Sequence, residues 1–196
     1  MQILFATNNR NKRQEVQSLL PANMQLLTLG DAGVTAELPE PYESLEENAR
    51  SKIRFALQRS GLSAGFSEDS GLFIEALGGK PGVHSAHYAG PQRVDADNIQ
   101  RVLLELEGLI DRTAYFQTTI CLIWMGKEYF FHGICPGSIT QSTVGHQGFG
   151  YDPIFQPAGS DRTFGEMELI EKNGYSHRQK AMQQMIQFLH QTKKLS

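Results

Sequence analysis

The 196-residue sequence is poor in cysteine, with only Cys121 and Cys135, both inside apolar runs and without C-x-x-C spacing. Neither a disulfide framework nor a zinc site follows from such a pair; two small core residues in a reducing compartment is the simpler reading. A basic excess is also missing. Lys plus Arg number 18 against 21 for Asp plus Glu, a formal net charge of −3. That argues against non-specific binding of nucleic acid or an acidic membrane, though a local basic pocket for a small anion stays open. No run approaches the ~20 apolar residues that span a bilayer. Residues 1–6 carry no basic n-region, and their apolar run stops at Thr7, short of the roughly 7–15 apolar residues of a secretory signal. Repeats, low-complexity tracts and Pro/Ser-rich linkers are absent from the sequence too. The expectation is a cytoplasmic protein with no nucleic-acid and no membrane partner.

What is present reads as a globular chain. AVILMFWYC residues make up 40%, and 19 glycines accompany them. Residues 3–6 read as a buried strand that stops at a polar turn, 7–12. A helix follows with Val16, Leu19 and Leu20 at helical spacing and Pro21 ending it. Residues 24–29 suggest a second strand. Ser44-Leu45-Glu46-Glu47 is a capping box, and the helix it opens carries Leu45, Ala49, Ile53 and Ala56 on one face, with Gly61 as the stop. Short strands are expected at 64–67 and 72–77, bracketing a tight turn Glu68-Asp69-Ser70-Gly71. Residues 94–109 read as a helix with Ile99, Val102, Leu103 and Leu106 inward. Residues 114–125 and 128–134 form an antiparallel hairpin about Gly126-Lys127, and 176–193 an amphipathic helix. Helical crossovers together with a hairpin give one α/β domain, 1–196, on a mixed sheet.

Five segments could carry chemistry. The turn Thr7-Asn8-Asn9…Lys12 stands after a buried strand at a helix start, where backbone N–H groups and a mobile ammonium suit phosphate oxygens; it has no glycine and so is not a P-loop. Read blandly, it is a helix N-cap with solvated neighbours. Glu40, Glu68 and Asp69 are acids in unusual places, Glu40 between two prolines and the other two adjacent. Like charges so placed need a compensating cation, and Mg²⁺ takes one or two carboxylates plus phosphates and waters. The alternative is an exposed acidic turn. Lys52, one turn after Asn48, reads locally as part of a solvated face. Gly145-His146-Gln147-Gly148-Phe149-Gly150-Tyr151-Asp152 interleaves glycines and aromatics, as a loop offering a base a stacking face would, or as a turn folded onto the core. Finally, Ser176-His177-Arg178 puts positive side chains at the positive end of a helix, a local conflict of the kind functional sites carry.

Together, Thr7-Asn8-Asn9…Lys12, Glu40, Ser44…Glu47-Asn48-Ala49…Lys52, Glu68-Asp69-Ser70-Gly71-Leu72, Gly78-Gly79-Lys80-Pro81-Gly82, Phe149-Gly150-Tyr151-Asp152-Pro153 and Lys172-Asn173…Ser176-His177-Arg178 resemble the Ham1/RdgB-type inosine triphosphate pyrophosphatases, in order and over nearly the whole chain. The resemblance implies an elongated mixed sheet with two α/β lobes flanking a central nucleotide cleft. It implies a homodimeric, Mg²⁺-dependent enzyme that splits ITP, dITP and XTP into monophosphate and pyrophosphate. By position, Thr7, Asn8, Asn9, Lys12 and Lys52 hold the triphosphate with help from Ser70. Glu40 and Asp69, helped by Glu68, bind Mg²⁺, and Asp69 is the general base. Phe149 stacks on the purine within the Phe149-Gly150-Tyr151 loop, while Asp152, Lys172, His177 and Arg178 read its edge.

Three departures stand out. Glu68 replaces the family's usual Asp, His87 stands where Arg is usual in Ser85-Ala86-His87-Tyr88-Ala89-Gly90, and Tyr115 where Arg is common. None removes a core catalytic position. A Maf-type nucleotide pyrophosphatase is the neighbouring alternative, and a nucleotide-sensing module without turnover is the alternative from another class.

Overall fold

The computed structural model describes residues 1–193. Its strands are β1 (Gln2–Phe5), β2 (Gln25–Leu27), β3 (Gly65–Ile74), β4 (Pro81–Gly82), β5 (Thr113–Trp124), β6 (Lys127–Ile139) and β7 (Phe155–Pro157). The helices are α1 (Arg10–Leu19), α2 (Leu45–Ser60), α3 (Asp95–Glu105), α4 (Leu169–Asn173) and α5 (His177–Lys193). The sheet order is β2-β1-β3-β5-β6-β7, with β4 paired to β3. β1 is parallel to β2 and β3, whereas β3–β4 and β6–β7 are antiparallel, so the fold is mixed α/β. Among the described residues no helix is long and apolar enough to cross a membrane.

The chain packs into two compact units. Among the described residues the first comprises 1–69, 118–133 and 178–193, the second 70–117 and 134–177. In the first unit the period-2 alternation of strands feeds two cores. Ile3, Phe5, Phe66, Ile120 and Leu122 pack with Val16 of α1 and with Met182, Met185 and Leu189 of α5. Leu4, Ala6 and Cys121 point the other way and pack with Ala49, Ile53 and Ala56 of α2. Alternation inverts successive side chains, so each strand serves both helical layers. In the second unit Leu72, Ile74, Val102, Leu106, Phe116, Phe155 and Phe164 share one core. There Tyr115 stacks on Phe73 with ring centroids 5.1 Å apart.

Local sequence signals set the helix ends. Asn9 caps α1 by accepting from the Lys12 N–H at 3.0 Å, and Ser44 caps α2 by accepting from the Glu47 N–H at 3.1 Å. Gly61 ends α2 in the left-handed region at φ 69°. Met125 and Gly126 join β5 to β6 with φ 50° and 72°, the positive pair of a type I′ two-residue hairpin turn. That turn lies one residue earlier than expected, and β6 runs on to Ile139.

The main departure is β3. The expected turn at Glu68-Asp69-Ser70-Gly71 is the middle of one ten-residue strand. Gly71 is needed because β4 comes so close: a methyl group there would lie 2.3 Å from the Gly82 carbonyl oxygen. The two charges sit in a strand because cations from other elements meet each of them.

Candidate active site

Strand alternation sends Phe66 and Glu68 to one face of β3, and Ser67 and Asp69 to the other. On the first face Glu68, almost wholly buried, receives Arg178 Nε at 2.9 and 2.8 Å and lies 3.3 Å from Lys12 Nζ. Arg178 also donates through a terminal nitrogen to Glu15, which is buried one turn after Lys12 on α1. Lys12, Glu68, Arg178 and Glu15 therefore alternate in sign through α1, β3 and α5. Burial by itself would raise the Glu68 pKa, but Arg178 and then Lys12 outweigh it and hold the carboxyl below the usual glutamate value. Burial likewise opposes the charge of Arg178, and Glu68 with Glu15 raises its pKa further still.

On the opposite face the Ser67 hydroxyl donates to the Ala49 carbonyl and seats α2 on the strand. The buried stripe of α2 is Leu45, Asn48, Ala49, Lys52, Ile53 and Ala56. Lys52 belongs to this stripe rather than to a solvated face, and its Nζ donates to Asp69 Oδ1 at 2.8 Å and Glu40 Oε1 at 2.6 Å. Burial favours a neutral Lys52 amine, yet Asp69 and Glu40 together push its pKa above the ordinary lysine value. Lys52 is therefore a fixed ammonium at neutral pH. Glu40 stays about a third exposed, with a side-chain value of 35%.

The second unit holds another set. Lys172 and Asp152 form a buried ion pair at 2.5 Å, and Asp152 Oδ2 also accepts from the Phe149 N–H at 2.9 Å. The Lys172 ammonium lies 5.1 Å from the centre of the Phe149 ring and 5.3 Å from that of Phe164. Gly148, at φ 74°, leaves room for this carboxylate; a methyl group there would stand 2.0 Å from Oδ2. His177 is buried and stacks on Phe116 at 4.8 Å. Tyr151 is a core residue whose hydroxyl donates to the Ser85 carbonyl at 2.8 Å, and the Gly150 N–H donates to Asp95 at 2.7 Å.

Of the sequence-predicted residues, Glu40, Lys52 and Asp69 come together, as do Lys12, Glu68 and Arg178, and as do Phe149, Asp152 and Lys172. Thr7 accepts from the Asn9 N–H at 3.1 Å, Asn8 and Asn9 are exposed, and Ser70 is half-buried on β3. Glu68 does not join Glu40 and Asp69, since its oxygens face Arg178 and Lys12. Sequence reasoning missed Glu15 and Phe164 as site neighbours. Glu15 had a signal: an acid beside Val16 on the apolar stripe of a short helix. Among the described residues no group of three or more His, Cys, Asp and Glu side chains could hold a metal. Glu40 and Asp69 nonetheless fit Mg²⁺ as a two-carboxylate set, because that ion completes its shell with phosphate and water oxygens.

Residues 3–188 match the Ham1 family. The chain belongs to the Ham1 family. It is 46% identical over 188 residues to the dITP/XTP pyrophosphatase of Flavobacterium psychrophilum, covering 96% of this chain and 98% of that one. It is 44% identical to the dITP/XTP pyrophosphatase of Flavobacterium johnsoniae, covering 98% and 100%. The solved structure of a HAM1 protein from Coxiella burnetii matches with a TM-score of 0.88 at 36% identity, covering 97% of this chain and 99% of that one. The mixed α/β fold of this Ham1-family chain is thus shared with solved members.

Proposed function

We propose that the chain hydrolyses non-standard purine nucleoside triphosphates, XTP and dITP together with ITP, to the monophosphate and pyrophosphate, with Mg²⁺ as cofactor. Such an enzyme cleanses the nucleotide pool. The names of the Flavobacterium relatives support the reaction. Within this chain the supporting observation is Lys52, buried as an ammonium between the carboxylates of Glu40 and Asp69. A module that only sensed nucleotides would have no use for two acids held in that way.

Glu40 and Asp69 would hold Mg²⁺. Once bound, the ion neutralises charge on the triphosphate oxygens. Glu68 is assigned instead to holding Lys12 and Arg178, because both of its oxygens are engaged. Asp69 accepts a proton from the attacking water, whose oxygen bonds to the α-phosphorus as the α–β bridging bond breaks and pyrophosphate leaves with the electron pair. Lys12 and Lys52 balance the developing charge; Lys52, protonated at neutral pH, is no base. Thr7, Asn8, Asn9 and Ser70 supply neutral donors to phosphate.

The chemistry of the second unit suits a purine. Phe149 offers a stacking face, with Gly150 and Tyr151 fixing the loop that carries it. Asp152, Lys172 and His177 read the base edge. A donor satisfied by a 6-oxo group faces an amine in adenine, and one such unpaired buried group costs about 1–3 kcal/mol. Two buried free cysteines fit a reducing cytoplasm, and the exposed Leu104, Leu109 and Ile110 fit a homodimer.

Chromatography of products from XTP, ITP, GTP and ATP, with and without Mg²⁺, tests this reading. XMP and IMP plus pyrophosphate, formed only with Mg²⁺ and with GTP and ATP spared, is the expected result. Turnover of none of the four would overturn it.

A further inference from the structure

The buried stripe of α2 carries one more polar side chain besides Lys52: Asn48, 3% exposed. Asparagine is poorly suited to a helix because its amide competes with backbone groups. Here the amide bonds to backbone outside its own helix. Its Oδ1 accepts from the Tyr42 N–H at 2.9 Å, and its Nδ2 donates to the Tyr42 carbonyl at 2.9 Å. One side chain thus satisfies both main-chain groups of a loop residue, as a neighbouring strand would. Nδ2 also donates to Asp69 Oδ2 at 3.3 Å. Tyr42 follows Glu40 by two residues, and Pro41 between them limits the loop's freedom. Lys52, one turn further along α2, donates to Glu40 and to Asp69. The i, i+4 pair on α2 therefore ties the same two segments twice, Lys52 through charge and Asn48 through a neutral amide.

We infer that Asn48 is a positioning residue: it fixes the Glu40 loop against Asp69, so that the two carboxylates are already spaced before metal and nucleotide arrive. The inference rests on the reaction proposed above for the catalytic consequence, and on geometry alone for the clip. Only a planar amide of this length offers an acceptor and two donors at once. Aspartate keeps the acceptor toward the Tyr42 N–H but loses both donations and sets a carboxylate against Asp69. Leucine keeps the shape and loses all three bonds.

The test uses the full-length protein with Asn48→Leu and Asn48→Asp, read by amide hydrogen exchange at Tyr42, thermal melting and steady-state kinetics on XTP. The Tyr42 N–H donates to Asn48 Oδ1, so its protection reports on that bond. In Asn48→Leu, Tyr42 should exchange faster, and kcat should fall roughly 10- to 100-fold, the scale of a misplaced catalytic group, with KM for XTP little changed. In Asn48→Asp, Tyr42 should stay protected while kcat falls comparably. Unchanged exchange at Tyr42 in Asn48→Leu overturns the inference, as does wild-type kcat in both variants. A loss of kcat that follows only the unfolded fraction overturns it as well. A wild type that turned over no nucleotide would defeat the reaction instead, and Tyr42 exchange would still decide the clip.

Discussion

Glu68 and Asp69 are adjacent in the chain, yet their carboxylates leave β3 on opposite faces: Glu68 meets Arg178 Nε at 2.8 Å and Lys12 Nζ at 3.3 Å, and Asp69 meets Lys52 Nζ at 2.8 Å. The strand therefore separates two like charges that a turn would have crowded together. It also separates two jobs. One carboxylate holds cations in place, and the other is left to Lys52, Asn48 and the chemistry proposed for it.

The Glu68 side carries a consequence for stability. Its carboxyl titrates below the ordinary 4.5 because Arg178 and Lys12 outweigh burial. As pH falls, the unfolded chain takes up this proton first, so the stabilisation is complete above the unfolded pKa and is lost as pH drops through the lower folded one. Urea unfolding of the wild type should weaken steeply below about pH 4.5. Glu68→Gln should lose about 3–5 kcal/mol at neutral pH, because it removes the buried carboxylate that faces Arg178 and Lys12, and then show a shallower slope in acid. Parallel slopes for the two proteins would contradict the pairing.

Asp69→Asn tests the other carboxylate. Removing the proposed general base should lower kcat roughly 10²- to 10⁴-fold. Calorimetry with XTP in the absence of Mg²⁺ should show binding largely retained, since the amide keeps the shape and an oxygen for Lys52. Loss of binding in step with turnover would make Asp69 a ligand of the nucleotide rather than the base.

Gly148→Ala addresses the second unit. A methyl group would meet Asp152 Oδ2 at 2.0 Å, on a backbone with φ 74°, so the Lys172–Asp152 pair must shift. Positive φ alone makes alanine cost more than about 1 kcal/mol there. Melting temperature should fall and KM for XTP rise, with kcat less affected. A variant with wild-type stability and KM would contradict the role given to this carboxylate.

Much of this was legible in the sequence where the cause is local. Ser44 and Gly61 mark the ends of α2, because capping involves residues within one turn of each other. The glycines at 145, 148 and 150 argued against a strand interior, and they stand in a loop where all three have positive φ. β3 was illegible for the opposite reason. Glu-Asp-Ser-Gly is a turn by local propensity, and the cations that make it a strand come from Lys12, Lys52 and Arg178, far away in the chain. Lys52 itself looked like a surface residue among Arg50 and Arg54, until the stripe from Leu45 to Ala56 placed it inward. Tyr151 sat in an attractive motif, but its ring belongs to the core and its hydroxyl to Ser85.

The proposed reaction turns on attack of water at the α-phosphorus of a non-standard purine triphosphate. Running the reaction on XTP in water enriched in oxygen-18, with Mg²⁺, and weighing both products by mass spectrometry tests it most directly. One heavy oxygen in XMP and none in pyrophosphate is the expected result. Heavy oxygen in pyrophosphate, or release of orthophosphate in its place, would contradict it.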